Sequence, residues 1–154
     1  MAFAVFVSYS TRDLQTATAL KIHIEHVGAT AYIAEYSLAP GSPLSPEILK
    51  AVMNCDLFLL LWSSNAQASE WVPQEIGAAK ASGRSIMPIV LHPGLSLPGF
   101  INDLKYLPLY KDTQAAVDWL RRHIFKKVEK KKQSDALIAL GVSAAIIFIL
   151  SRSE

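Results

Sequence analysis

Apolar runs alternate with segments of helical period along the first 125 residues. AVFVSYS (4–10) is continuous and β-rich, the pattern of a strand covered on both faces. From Thr11 the period changes: Leu14, Ala17, Leu20, Ile24 and Val27 recur on one side of a helix that Gly28 ends. TAYIAEY (30–36) predicts the next strand, and SLAPGSPLS (37–45), with two prolines and a glycine, predicts a loop. Ser45 and Pro46 supply a cap and a first-turn proline for a second helix, with Ile48, Ala51, Val52 and Cys55 as its inner stripe. DLFLLLWSS (56–64) is the most hydrophobic strand and the predicted centre of the sheet. A helix over Glu70–Ala81, a strand at SIMPIVL (85–91), a Pro/Gly-rich loop, a short strand near Tyr106–Tyr110 and a helix from Thr113 complete the series.

Repeated β-α alternation with strands buried on both faces specifies an α/β fold: a parallel sheet between helix layers, joined by right-handed crossovers. Five strands favour the flavodoxin-like order 2-1-3-4-5, in which ligands gather at the carboxyl ends of the first and third strands. Those ends are SYSTRD (8–13) and WSSNAQAS (62–69), with the 37–45 loop beside them.

Composition narrows the picture. Apolar residues make up 51% and charged ones 18%, which excludes a disordered chain. One cysteine excludes an internal disulfide, and with four histidines it leaves no recognisable zinc spacing, so no metal is expected. No secretory leader opens the chain, which places the bulk of it in the cytoplasm. The net charge of +2 conceals a basic block: residues 121–132 carry 7 Lys/Arg against 1 acidic residue, whereas residues 1–120 carry 7 against 10. A nucleic-acid-binding face would spread its positive charge over the fold, so no nucleic-acid partner is expected. The block precedes ALIALGVSAAIIFILS (136–151), an uncharged stretch. At 1.5 Å per residue it reaches about 24 Å, short of a hydrocarbon core of about 30 Å, a gap that snorkelling lysines or local thinning can cover. The predicted organisation is a folded domain over 1–125, a basic juxtamembrane linker over 126–135 and a transmembrane tail anchor over 136–151, with the domain on the cytoplasmic side. A buried or partner-packed helix is the competing reading of the tail.

Several chemistries that this fold can host lack their residues. SYSTRD holds no glycine, which argues against a phosphate-cradling first turn. The third strand ends Trp62-Ser63-Ser64 rather than in an aspartate, and no GxSxG elbow is present. What remains is SSNAQASEWVPQEIG (63–77). Ser69 can cap the helix, Pro73 is tolerated in its first turn, and Trp71 and Glu75 share a face four residues apart. A carboxylate beside an indole near a loop crevice is partly desolvated, with a raised pKa expected. Such a group can bind ribose hydroxyls and steady positive charge at an anomeric carbon. Core packing of Trp71 and a solvated Glu75 are the plainer readings of the same spacing. Arg12 and Asp13 are equally placed to pair with each other or to cap the first helix; His92 reads only as a loop position.

FVSYSTRD, LAPGSPLSPEILKAV, DLFLLLWSSNAQASEWVPQEIGAA and SIMPIVL, in that order, resemble a Toll/interleukin-1 receptor (TIR) domain over about residues 3–125. The resemblance implies the flavodoxin-like fold and a choice of functions. Bacterial, plant and axon-degeneration members cleave NAD, releasing nicotinamide; animal adaptor members are non-catalytic scaffolds that act through homotypic TIR–TIR association. The Phe-Trp motif of animal signalling members is not apparent around 106–120, which favours the prokaryotic NAD-cleaving type. In that type the glutamate of W-x-x-x-E is catalytic, which implies that role for Glu75. The resemblance further implies a substrate site of Ser10, Arg12, Tyr36, Ser64, Ser69 and Trp71. It implies self-association through Leu38, Pro40, Gly41, Ser42 and Leu44, with NAD+ as substrate and no separate cofactor. The setting it suggests is prokaryotic anti-phage immunity, by NAD depletion or by an ADP-ribose-type signal to a downstream effector.

Overall fold

The computed structural model describes residues 1–34 and 43–141. In chain order the elements are β1 (Ala4–Ser8), α1 (Leu14–His26), β2 (Thr30–Ile33), α2 (Pro46–Asn54), β3 (Leu57–Trp62), α3 (Ser64–Gln67), α4 (Trp71–Ala81), β4 (Ile86–Val90), β5 (Leu107–Pro108) and α5 (Thr113–Ala139). The sheet is parallel throughout, in the order β2-β1-β3-β4-β5. The flavodoxin-like arrangement expected from the pattern is the one observed.

Alternation along the strands feeds two cores. Val5, Val7, Tyr9, Leu57, Leu59, Leu61 and Ile89 face Ala17, Leu20 and Ile24 of α1 and Leu120, Ile124 and Val128 of α5. Phe6, Phe58, Leu60, Trp62 and Val90 face Ile48 and Val52 of α2 and Val72, Ile76 and Ala79 of α4. All six residues of β3 are buried, because the central strand is covered on both faces and flanked on both edges. Phe6 lies stacked between Tyr32 and Phe58, each ring centroid 5.5 Å away.

The caps behave as their residue types require. Ser45 Oγ accepts from Ile48 N, Pro46 occupies the first turn of α2, and Asp112 Oδ1 accepts from Ala115 N at the start of α5. Gly28 closes α1 with φ +95°, a conformation that a side chain would strain. Cys55 is buried at the end of α2; burial first, and Asp56 after it, pushes its thiol up to about 11 against the opposing Arg84, so it behaves as a small apolar residue.

Four local departures separate structure from pattern. A tight turn over Thr11–Asp13 precedes α1, and Leu14, at that junction, is 50% exposed instead of joining the inner stripe. Ser64, expected as the end of the third strand, and residues 65–67, expected as loop, form α3, because Ser63 Oγ caps Ala66 N at 3.0 Å. The segment 126–135, expected as a linker, is helical and continuous with α5. Val128 still packs on the α1 side, Lys131 Nζ bonds Asp56 Oδ2 at 2.8 Å, and the N-terminal amine bonds Asp135 at 3.0 Å. Within the expected anchor, α5 ends at Ala139 and Gly141 follows with φ +72°, so the described part of 136–151 does not open an unbroken helix. No helix among the described residues is long and apolar enough to cross a membrane; residues 142–154 of the tail lie outside them.

Candidate active site at the carboxyl ends of β1 and β3

A cavity of about 360 Å³ opens at the topological switch point, where the turn after β1 meets α3 and the start of α4. Ser10, Thr11 and Arg12 come from the first turn, Asn65 and Ala68 from the segment after β3, and Ser69, Glu70 and Trp71 from the mouth of α4. Four of the expected substrate-side residues, Ser10, Arg12, Ser69 and Trp71, are thus brought together. Ser69 Oγ accepts from Trp71 N at 3.2 Å and Val72 N at 3.3 Å, so it caps α4 and sets the indole at the cavity wall. Arg12 is exposed, and its guanidinium forms no ion pair with a described residue.

Asp13 neither pairs with Arg12 nor caps α1. Its carboxylate accepts from Ser63 Oγ at 2.5 Å and from Asn65 Nδ2 at 3.1 Å, tying the loop after β1 to the loop after β3. Two side chains from one half of the switch point are therefore held by a charge from the other, and charge-assisted bonds of this kind are the stronger ones. His92, unexplained by pattern, accepts from Ser64 N through Nε2 at 3.0 Å. Ser64 itself serves this backbone contact and does not line the cavity.

Glu75 sits one turn beyond Trp71 on α4 and is fully buried. It accepts from Ser8 Oγ at 2.7 Å. The expectation of a half-dry crevice is corrected on this point: the carboxyl lies inside the protein and is not among the cavity-lining groups, because the inner face of α4 packs on the sheet at β1. Tyr36, Leu38, Pro40, Gly41 and Ser42 lie outside the described residues. Leu44 is partly buried against the α2/α4 core. No group of His, Cys, Asp or Glu among the described residues is arranged to hold a metal ion.

Residues 5–124 match the TIR domain family. The chain belongs to the TIR domain family. Solved structures of the same fold include the TIR domain of the Toll-related receptor TRR-2 from Hydra magnipapillata, at 20% identity and TM-score 0.64, covering 81% of this chain and 97% of that one. A second is the Clostridium botulinum CMP N-glycosidase BcmB, at 18% identity and TM-score 0.54, covering 75% and 97%. A third is the set of TIR domains in the activated Roq1 resistosome recognising the pathogen effector XopQ, at 17% identity and TM-score 0.50, covering 83% and 84%. No curated protein matches the chain. At these identities the likeness is one of fold.

Ser8, Asp13, Asn65 and His92 of this TIR domain were not singled out from the sequence as site residues. Two signals stood in plain view: Ser8 takes an inward position of β1 where the pattern calls for an apolar side chain, and Glu75 does the same on α4. A polar residue on a buried face requires a polar partner.

Proposed function

We propose that this TIR domain cleaves the nicotinamide–ribose bond of NAD+, with Glu75 as the catalytic carboxylate, and that self-association switches it on. The observation that carries the reading is Glu75 itself: a glutamate on the inner face of α4, fully buried, held by Ser8 and one turn from the cavity wall at Trp71. A buried carboxylate in a small domain is costly, and a hydrophobic residue of like volume would stabilise the fold at least as well. A carboxylate placed at that cost points to chemistry.

In the reaction the C1′–N bond breaks and its electron pair passes to the pyridinium nitrogen, so nicotinamide leaves neutral and needs no strong acid. Positive charge develops at C1′, where a fixed negative group in a dry site acts most strongly. Water then adds to C1′ and loses a proton, giving ADP-ribose; a nucleophile of the same molecule would give a cyclic product instead. Arg12, with its guanidinium free of ion pairs among the described residues, is suited to the substrate's phosphates, and Trp71 to stacking on a ring. The same fold carries N-glycosidic cleavage in the clostridial CMP N-glycosidase.

Because the carboxyl is covered in the single chain, substrate binding has to uncover it, which ties turnover to assembly. Homotypic association through Leu38–Leu44 supplies that assembly, and a membrane tether through 136–151 raises the local concentration by confining the chain to two dimensions. The domain then lies on the cytoplasmic side, and a role in prokaryotic anti-phage immunity follows from NAD depletion or from an ADP-ribose-type signal to an effector. The test is nicotinamide release by the full chain, dilute and then clustered on anionic vesicles. Release rises on clustering and falls at least about 100-fold in Glu75→Ala. Release that survives Glu75→Ala overturns the site; no release from the clustered wild type leaves a non-catalytic scaffold acting through TIR–TIR contact.

A further inference from the structure

The strand β1 sends Val5 and Val7, and Tyr9 just after it, to the α1/α5 face and Phe6 to the α2/α4 face, so Ser8 falls on the second face, in a sheet interior. Its exposure is 0%, and so is that of Glu75. The two polar breaks in two otherwise apolar stripes therefore meet each other, 67 residues apart in sequence, at 2.7 Å with the hydroxyl donating to Oε1. Resting on the reading of Glu75 given above, we propose that Ser8 is a positioning residue for the reaction: it fixes the rotamer of the Glu75 carboxyl and orients its oxygens relative to the sugar.

The physical case has three parts. A glutamate side chain has three rotatable bonds, and a carboxylate that swings gives up the preorganisation on which electrostatic stabilisation depends. Ser8 is the better anchor for being on a strand bonded on both sides, to Ile33's strand through β1–β2 pairing and to Leu60 directly, so its hydroxyl has no backbone freedom to lose. A serine at this place costs desolvation that alanine would avoid, and alanine would fill the same space, so packing alone does not explain the hydroxyl. The role is distinct from that of Arg12 or Trp71, which line the cavity; Ser8 does not line it and acts only through Glu75.

The experiment uses the full chain clustered on vesicles. Ser8→Ala is expected to lower kcat for nicotinamide release about tenfold, with KM within about twofold, because the lost bond acts on a charged group after substrate is bound. The split between kcat and KM is the readout that a purely structural role would not move, and infrared difference spectroscopy reports the contact itself. The Glu75 carboxyl band, assigned by its loss in Glu75→Gln, shifts in Ser8→Ala and returns to the wild-type position in Ser8→Thr, which keeps the hydroxyl and suits a strand; kcat recovers with it. Should the alanine variant not fold, Ser8→Cys, close in volume and a weak donor, takes its place with the same expectations. A Ser8→Ala protein with wild-type kcat and an unmoved Glu75 band overturns the proposal. If the wild type releases no nicotinamide, the NAD reading fails and takes the positioning role with it; release by the wild type with unchanged kcat in Ser8→Ala overturns Ser8 alone.

Discussion

At the scale of single residues, the switch point is organised by polar groups that reach across it. Asp13 holds Ser63 and Asn65, Ser63 in turn caps α3, and His92 receives the next backbone amide. Removing the carboxylate leaves Ser63, itself 1% exposed, without its acceptor. Asp13→Ala should therefore cost about 1–3 kcal/mol, read as a lowered urea midpoint with an unchanged m-value. Asp13→Asn, which keeps one acceptor oxygen, should cost less, and an unchanged midpoint in Asp13→Ala would show that the bonds do not matter. Arg12, Ser69 and Trp71, expected on the substrate side, lie at this rim. The sequence could not assign Asp13, because a carboxylate next to an arginine in sequence has an obvious local partner, and only the packed loops put Ser63, 50 residues away, closer.

At the scale of elements, α5 is the one that exceeds its expected length. Its 27 residues extend about 40 Å, whereas the six residues of β3 extend about 20 Å, so the helix runs past the amino ends of the strands. Asp56, just before β3, receives both Ala4 N and Lys131 Nζ at 2.8 Å and joins that overshoot to the start of β1. The backbone amide needs its acceptor more than the lysine does, since Lys131 and Asp56 side chains remain 25% and 30% exposed. Asp56→Ala should lose about 1–2 kcal/mol and Lys131→Ala less than about 1 kcal/mol in urea unfolding. A lysine variant as damaging as the aspartate variant would show that the ion pair, not the strand amide, is what matters there. The helix beginning at Thr113 was legible, and Ala116, Val117, Leu120, Ile124 and Val128 are its buried residues. Its continuation past Val128 was not, because residues 129–135 carry no apolar side chain to announce it; good helix formers continue the turn, and the contacts of Lys131 and Asp135 hold it.

At the scale of the molecule, the cavity and Glu75 lie toward the carboxyl ends of the strands, while the last turns of α5 lie at their amino ends, against Ala2 and Asp56. A tail anchored in lipid would thus leave the site facing away from the bilayer, open to substrate and to neighbouring copies. A span through 136–151 would require Gly141 to give up φ +72° for helical backbone, since lipid leaves no water to satisfy freed amides. The full chain should partition onto vesicles, and a chain ending at Lys132 should stay in solution with its thermal transition intact. Equal partitioning of both would remove the tail from any account of tethering.

The sequence by itself determined the βα alternation, the caps at Ser45 and Ser69, the buried central strand and the end of the sheet at which a site could form. These follow from local period and local backbone chemistry, which a reader of neighbours three or four residues apart can see. Tertiary structure alone decided that Ser8 meets Glu75, that Asp13 bridges two loops and that the catalytic candidate is covered rather than half open. Those outcomes depend on which strands lie side by side and how closely α4 seats on them, and pairings across 50 to 67 residues leave no periodic trace in the chain.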